Sequence, residues 1–160
     1  MKYTIKKGKH RAKPVKLRIY FRKDFKWTVV FNESAIYSIN GNQLDINKLC
    51  GIRYLFGDYS ARFGWRYNPQ TPNWIDIMAY VHDNGVVTKS DREVIVTSIP
   101  INEMALLHLY CNDKYYWFSC NGKTVKVPKT HGQKISFAQN LYFGGVCTAP
   151  HDITVEIQSV

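Results

Sequence analysis

Apolar and polar residues alternate along most of this chain with a period of two, and a helical period is nearly absent. Val15, Leu17, Ile19 and Phe21 alternate with Lys16, Arg18, Tyr20 and Arg22. That pattern predicts a strand over 15–21 with one buried face and one wet, basic face. Further strands are expected over 61–67, 74–81, 93–98, 115–120 and 152–158. Asn84-Gly85 and Asn121-Gly122 are tight-turn signals. Met104 to Cys111 and Tyr115 to Cys120 read as two arms of a hairpin around Asn112-Asp113-Lys114. Roughly ten to thirteen short strands with turns between them point to an all-β sandwich or barrel. Alternation turns Val15, Leu17, Ile19, Ile75, Ile77, Val94, Val96, Val155 and Ile157 inward.

The chain has 160 residues, enough for one domain with a real core. Hydrophobic residues make up 45% and charged residues 21%, which excludes a disordered chain or a fibre. The net charge of +10 is not spread evenly. Residues 1–26 hold eleven Lys or Arg and one acid, and residues 27–160 hold eleven of each sign. The expected organisation is therefore a basic arm or edge strand over 1–14 and a single sandwich over 15–160. No apolar stretch near the N-terminus suits a secretory signal, and no run is long enough to span a membrane. The four cysteines show no C-x-x-C spacing, so a metal site is not expected, and reduced thiols in a protein made in a cytoplasm are.

Three groups of side chains are candidates for function. The first is a cationic patch: Lys6, Lys7, Lys9, Arg11, Lys13, Lys16, Arg18 and Arg22. It suits an acidic partner, and equally it would protect an edge strand from aggregation. Nucleic acid is a weaker partner, because no zinc-finger, RRM or helix-turn-helix pattern is present. The second group is aromatic. Tyr115 and Trp117 fall on one side of a strand and Tyr116 and Phe118 on the other, so one pair meets solvent or a second layer and could stack a sugar ring. The third is Arg62 and Arg66, on one strand face, which could grip a carboxylate or pair with Asp76 or Glu93. His131 and His151 read as hydrogen-bonded loop histidines. No catalytic motif is present, and no catalytic residue, metal ligand or cofactor is assigned.

The segments Asn47-Lys48-Leu49-Cys50-Gly51, Ser60-Ala61-Arg62-Phe63-Gly64-Trp65-Arg66, Ile75-Asp76-Ile77-Met78-Ala79-Tyr80-Val81, Asn84-Gly85, Leu141-Tyr142-Phe143-Gly144-Gly145 and Ala149-Pro150-His151-Asp152-Ile153 carry a resemblance over about residues 25–158. The chain resembles small proteins of Bacteroidetes bacteria and their phages that are similar to concanavalin-A-like (lectin or laminin-G type) jelly rolls. The resemblance implies a two-sheet antiparallel sandwich and carries no activity with it. The resulting expectation is a non-enzymatic interaction module without cofactor: a phage virion accessory protein (decoration, fibre or tail-associated) docking on an acidic capsid or tail surface. A lectin-like carbohydrate-binding module is the alternative, and a polysaccharide lyase or glycoside hydrolase stands third.

Overall fold

The computed structural model describes residues 1–15, 17–88 and 94–160. Among the described residues fourteen strands make two antiparallel sheets packed face to face, the jelly-roll sandwich that the resemblance implies and one of the all-β forms that the alternation allows. The strands are β1 (Lys2–Ile5), β2 (Ala12–Lys13), β3 (Ile19–Tyr20), β4 (Asp24–Phe31), β5 (Asn47–Tyr54), β6 (Tyr59–Tyr67) and β7 (Trp74–Asp83), then β8 (Val86–Thr88), β9 (Ile95–Pro100), β10 (Met104–Cys111), β11 (Tyr115–Cys120), β12 (Lys123–Pro128), β13 (Ser136–Gln139) and β14 (Ile153–Ser159). The first sheet runs β12-β11-β10-β4-β14-β1-β2. The second runs β3-β13-β5-β6-β7-β8, and β9 also pairs with β7. Among the described residues the one helical element is a 3-10 turn, Glu33–Ala35.

Both Asn-Gly dipeptides close hairpins, with positive φ at Asn84 and Gly85 and at Asn121 and Gly122. Two consecutive positive φ angles give the turn the twist that flanking strands need. The core lies between the sheets and follows the period of two. Phe25, Trp27, Val29 and Phe31 face inward from β4, Phe63 and Trp65 from β6, and Tyr116 and Phe118 from β11. Ile75, Ile77, Val96, Val155 and Ile157 are buried as expected, and Val94 is partly buried against the core. The cysteines are free: Cys50, Cys111 and Cys120 are buried and Cys147 is half-buried.

The predicted strand over 15–21 is corrected. Only Ile19 and Tyr20 pair, with Phe137 and Ser136 of β13. Val15, Leu17, Ile19 and Phe21 are 65%, 80%, 55% and 77% exposed. The described residues of the segment show no alternation of burial: Arg18 and Arg22 are exposed as well, and only Tyr20 is half-buried. Tyr20 packs edge-on against the buried Phe25 at 5.1 Å, and the Arg22 guanidinium lies over the Phe25 ring at 5.1 Å. Arg18 lines a cavity of about 220 Å³ at the end of the sandwich, with Tyr3, Trp27 and Cys50. The inner space here already holds large aromatic rings, so amphipathic stems close it.

The first thirteen residues are tied into the sandwich. β1 pairs with β14, and β2 folds back on β1. The turn between them is stitched to the loop before β14 by Gly8 N to Ala149 O (2.9 Å) and Ala149 N to Lys9 O (3.0 Å). Phe143 N donates to His10 O at 2.7 Å, and Arg11 forms a bridge pair with Tyr142. The basic segment thus turns the corner from the edge of the first sheet onto the second. Among the described residues no helix is long and apolar enough to cross a membrane.

Candidate functional site: a cationic groove on the second sheet

Side chains that alternate away from the core on β5, β6 and β7 form the outer face of the second sheet. Register places Arg62 opposite Tyr80, Ser60 opposite His82 and Arg66 opposite Asp76. Lys48 and Arg53 lie on the same side from β5. The register of β5 on β6 shifts between Lys48 and Gly51. Such an irregularity bends a strand and re-aims its side chains. Gly51 is required there: its φ is +154°, and a Cβ would run into the Ala61 carbonyl and the Arg62 backbone. The bulge leaves space for the stem of Arg62.

The face is cationic and dry. The Arg62 guanidinium sits over the Tyr80 ring at 5.2 Å, and Lys48 Nζ sits over the same ring at 5.0 Å. Lys48 is 8% exposed and donates to Gly144 O at 2.9 Å. Burial lowers its pKa to about 8, and the neighbouring Arg62 charge adds to that effect. Burial likewise lowers the pKa of Arg62. Arg62 Nε is buried and has no hydrogen-bond partner, and neither has Ser60 Oγ beside it. Unsatisfied buried donors are uncommon and costly. Here they lie beside two cations, an arrangement that an anionic ligand would satisfy.

His82 links two polar neighbours, Asp58 Oδ2 at 3.3 Å from Nδ1 and the Tyr80 hydroxyl at 3.1 Å from Nε2. A carboxylate can only accept, so Nδ1 carries the proton and Nε2 accepts from Tyr80. Burial lowers the pKa of His82, against the hydrogen bond it donates to Asp58, and burial raises that of Tyr80. Arg66 is committed internally: Nε donates to Asp76 Oδ2 at 3.2 Å, and Ser98 donates to the other Asp76 oxygen at 2.7 Å.

A groove of about 380 Å³ opens on this face. Arg11, Arg53, Arg62, Gln139, Asn140 and Tyr142 supply its polar wall. Tyr142 is held by reciprocal backbone hydrogen bonds with Lys48 at 2.8 Å each, and its ring stacks on His10 at 5.1 Å. Tyr80, His82 and Lys48 lie behind the wall that Arg62 and Tyr142 form. A second cavity of about 570 Å³ adjoins the groove, sharing Arg11 and Tyr142 with it and adding Lys6, Lys9, His10 and Lys13.

The side chains singled out in the sequence are not gathered in one place. Lys6, Lys9, Arg11 and Lys13 surround the second cavity. Lys6 is also paired with Asp152 at 2.7 Å, whose other oxygen accepts from the backbone N of the exposed Lys7. Arg18 and Arg22 serve the end of the sandwich, and Lys16 lies outside the described residues. Arg62 lines the groove while Arg66 pairs with Asp76. Tyr115 and Trp117 lie on the outer face of the first sheet, with Lys126 Nζ 4.6 Å and 5.6 Å from their rings. His131 and His151 are hydrogen-bonded to the Tyr116 hydroxyl and to Ser34 O. Lys48, Tyr80, His82, Gln139 and Tyr142 were not singled out as site residues. For Tyr80 and His82 the spacing of two, on a strand already recognised, was the available signal. Among the described residues no group of three or more His, Cys, Asp or Glu could hold a metal ion.

No family model and no curated protein matches the sequence. The fold does match solved structures. Alginate lyase AlyC3 in complex with dimannuronate superposes with a TM-score of 0.62 at 9% identity, over 99% of this chain and 73% of that one. Alginate lyase A1-II', a member of polysaccharide lyase family 7, superposes with a TM-score of 0.52 at 12% identity, over 97% of this chain and 63% of that one. The chain thus spans less than two thirds of the second protein. These neighbours support the jelly roll and carry neither a Bacteroidetes nor a phage context. The expectation of a non-enzymatic module is corrected here, because both of these solved structures that share the fold are alginate lyases.

Proposed function

We propose that the groove binds an acidic polysaccharide and cleaves it by β-elimination at a uronate residue. The observation that carries the reading is the composition of the groove wall: three arginines and a single side chain able to exchange a proton, Tyr142. Arginine stays charged in proteins, so the wall holds fixed positive charge and one hydroxyl. Arg62 lines the groove, where its guanidinium would bind and neutralise a uronate carboxylate. Neutralising that carboxylate makes the proton on C5 more acidic and stabilises charge developing on the carboxylate oxygens. The Tyr142 oxygen takes the C5 proton while its own proton passes to the glycosidic oxygen. The C5–H pair forms the C4=C5 bond, and the bond from C4 to the glycosidic oxygen breaks. One product ends in a free hydroxyl, the other in an unsaturated uronate. Asp58, His82 and Tyr80 act from behind the wall: they fix the ring over which Arg62 lies.

The fold neighbours are named for alginate, so alginate is the first polymer to test. The assay follows ultraviolet absorbance of the new double bond conjugated with the carboxylate. The expected result is turnover by the native chain and a loss of at least about 100-fold in Tyr142→Phe and in Arg62→Ala. Binding of polyuronates without any new absorbance overturns the cleavage step and leaves a glycan-binding groove. No binding of polyuronates overturns the reading entirely.

A further inference from the structure

The charge of this protein is concentrated where the groove leaves the second sheet, and the fold shows how the two are joined. The open cavity beside Tyr142 is lined by Thr4, Lys6, Lys9, His10, Arg11 and Lys13, and most of its surface is apolar. Arg11 and Tyr142 line both cavities, so the two lie side by side between Arg62 and the turn that joins β1 to β2. That turn is anchored: β1 pairs with β14, and its backbone bonds to Ala149. Lys6 is partly neutralised by Asp152, but among the described residues no carboxylate pairs with Lys9, Arg11 or Lys13. Mutually repelling cations held on a fixed scaffold, around a mostly apolar surface, match a chain whose rings have an apolar face and a regularly repeated carboxylate.

We infer that the turn between β1 and β2 is a distal subsite for the same acidic polysaccharide, so that Lys9, Arg11 and Lys13 hold sugar units beyond those seated at Arg62. The inference rests on the groove reading above. It adds that the protein selects long polymers, because each further unit meets another cation of the cavity. Both cavities fall in or near the size range of ligand sites, so each has room for sugar. An ordered anchor matters here, since residues already fixed in place lose little entropy on binding.

The test is calorimetric titration of the full chain in the Tyr142→Phe background, where the ligand is not consumed. A uronate disaccharide is compared with an octasaccharide, at low and at moderate salt. The octasaccharide is expected to bind at least about tenfold more tightly. Adding Lys9→Ser and Lys13→Ser is expected to remove most of that increment and flatten its salt dependence, with disaccharide affinity unchanged. Both lysines are exposed, so thermal unfolding should barely move. An octasaccharide that binds the double variant as tightly as the parent overturns the subsite. So does a single-stranded oligonucleotide that outcompetes the octasaccharide at the parent chain, since the turn would then serve another polyanion. If neither uronate ligand binds the parent, the groove reading itself has failed.

Discussion

Two tyrosine–histidine pairs lie in this sandwich, and they run in opposite directions. His82 and Tyr80 sit on the outer face of the second sheet, with Asp58 on the far nitrogen of the imidazole. His131 and Tyr116 sit at an end of the core, 2.7 Å apart, and the far nitrogen accepts from the backbone N of Gln133 at 3.2 Å. The partner at that far nitrogen decides the tautomer. Asp58 makes His82 an acceptor for the Tyr80 proton, whereas Gln133 makes His131 the donor to Tyr116. The Tyr54 ring lies beside that of Tyr116, 6.4 Å between centroids. The nearby Cys111 thiol is buried, and burial pushes its pKa up to about 12. The surface pair ends under Arg62, at the groove. The same two residue types thus build a structural lock in one place and a support for a binding wall in the other.

The sharpest way to break this comparison is to remove each imidazole in turn. His82→Asn releases Tyr80 and the ring over which Arg62 lies. Turnover of polyuronate should fall about 10- to 100-fold, mostly in kcat, and the acid limb of the pH profile should move. A shift of that limb separates positioning by a titrating imidazole from simple loss of packing. His131→Asn should leave turnover unchanged per folded molecule. Equal losses in the two variants would abolish the distinction.

Stability should reverse the ranking. Tyr116→Phe removes the hydroxyl of the core pair and should cost about 1–3 kcal/mol in chemical denaturation. Tyr80→Phe should cost less, because Tyr80 lies at the edge of the small cluster with Ile46 and Met78. Acid adds a second signature. Burial lowers the pKa of His131 from 6.5 to about 4, and the Lys129 charge acts in the same direction. Between those values the unfolded chain binds a proton that the folded chain does not. The His131 contribution is therefore full above pH 6.5 and lost as pH falls to about 4. With the side chain half-buried, solvent screening leaves about 1–2 kcal/mol of this effect. His131→Asn should flatten the acid limb of stability over that window.

The period of two was legible throughout, and so were the turns, because both follow from local backbone rules. Which face points inward was legible on β7 and β14, where Ile75, Ile77, Val155 and Ile157 are buried as alternation predicts. It failed at Val15 to Phe21, where the inner space was already occupied by Phe25 and Trp27 from another strand. The groove was harder still to read. Arg11, Lys48, Arg62, Tyr80, His82 and Tyr142 come from five separate stretches of chain. Only strand order and the bulge at Gly51 bring them together. Arg62 could be flagged from its own strand, but its bare Nε could not. Charge placement in the first 26 residues was legible, since charge is carried by the sequence itself, and Lys6, Lys9, Arg11 and Lys13 line the second cavity.

A smaller effect sharpens the contrast on the alkaline side. Lys48 stands between the Tyr80 and Tyr142 rings with its pKa lowered to about 8 by burial. As pH rises through that value the ammonium loses its proton and the groove loses one charge, while the arginines keep theirs. Affinity for a uronate oligosaccharide should weaken by a few-fold between about pH 7 and 9. Lys48→Arg should remove this step, and no such step should arise from the core pair. A pH-independent affinity in the native chain would mean that Lys48 does not face the ligand.

The smallest expected effect concerns the aromatic pair on the opposite side of the molecule. Tyr115 and Trp117 stand 6.2 Å apart in an edge-to-face arrangement on the outer face of β11, and Lys126 of β12 lies over both rings. A flat aromatic pair on a sheet surface is chemically fit to stack a sugar, which makes it the natural rival of the groove. The lysine weakens that reading, because it already occupies ring faces that a pyranose would need. Neither residue lines either cavity on the groove side. Trp117→Ala should therefore change oligouronate affinity less than about twofold. Its cost in stability should be up to about 1 kcal/mol, from the lost cross-strand contacts with Tyr110 and Lys126. A loss of affinity as large as that of Arg62→Ala would move the binding site to the first sheet and make the cationic groove a structural feature.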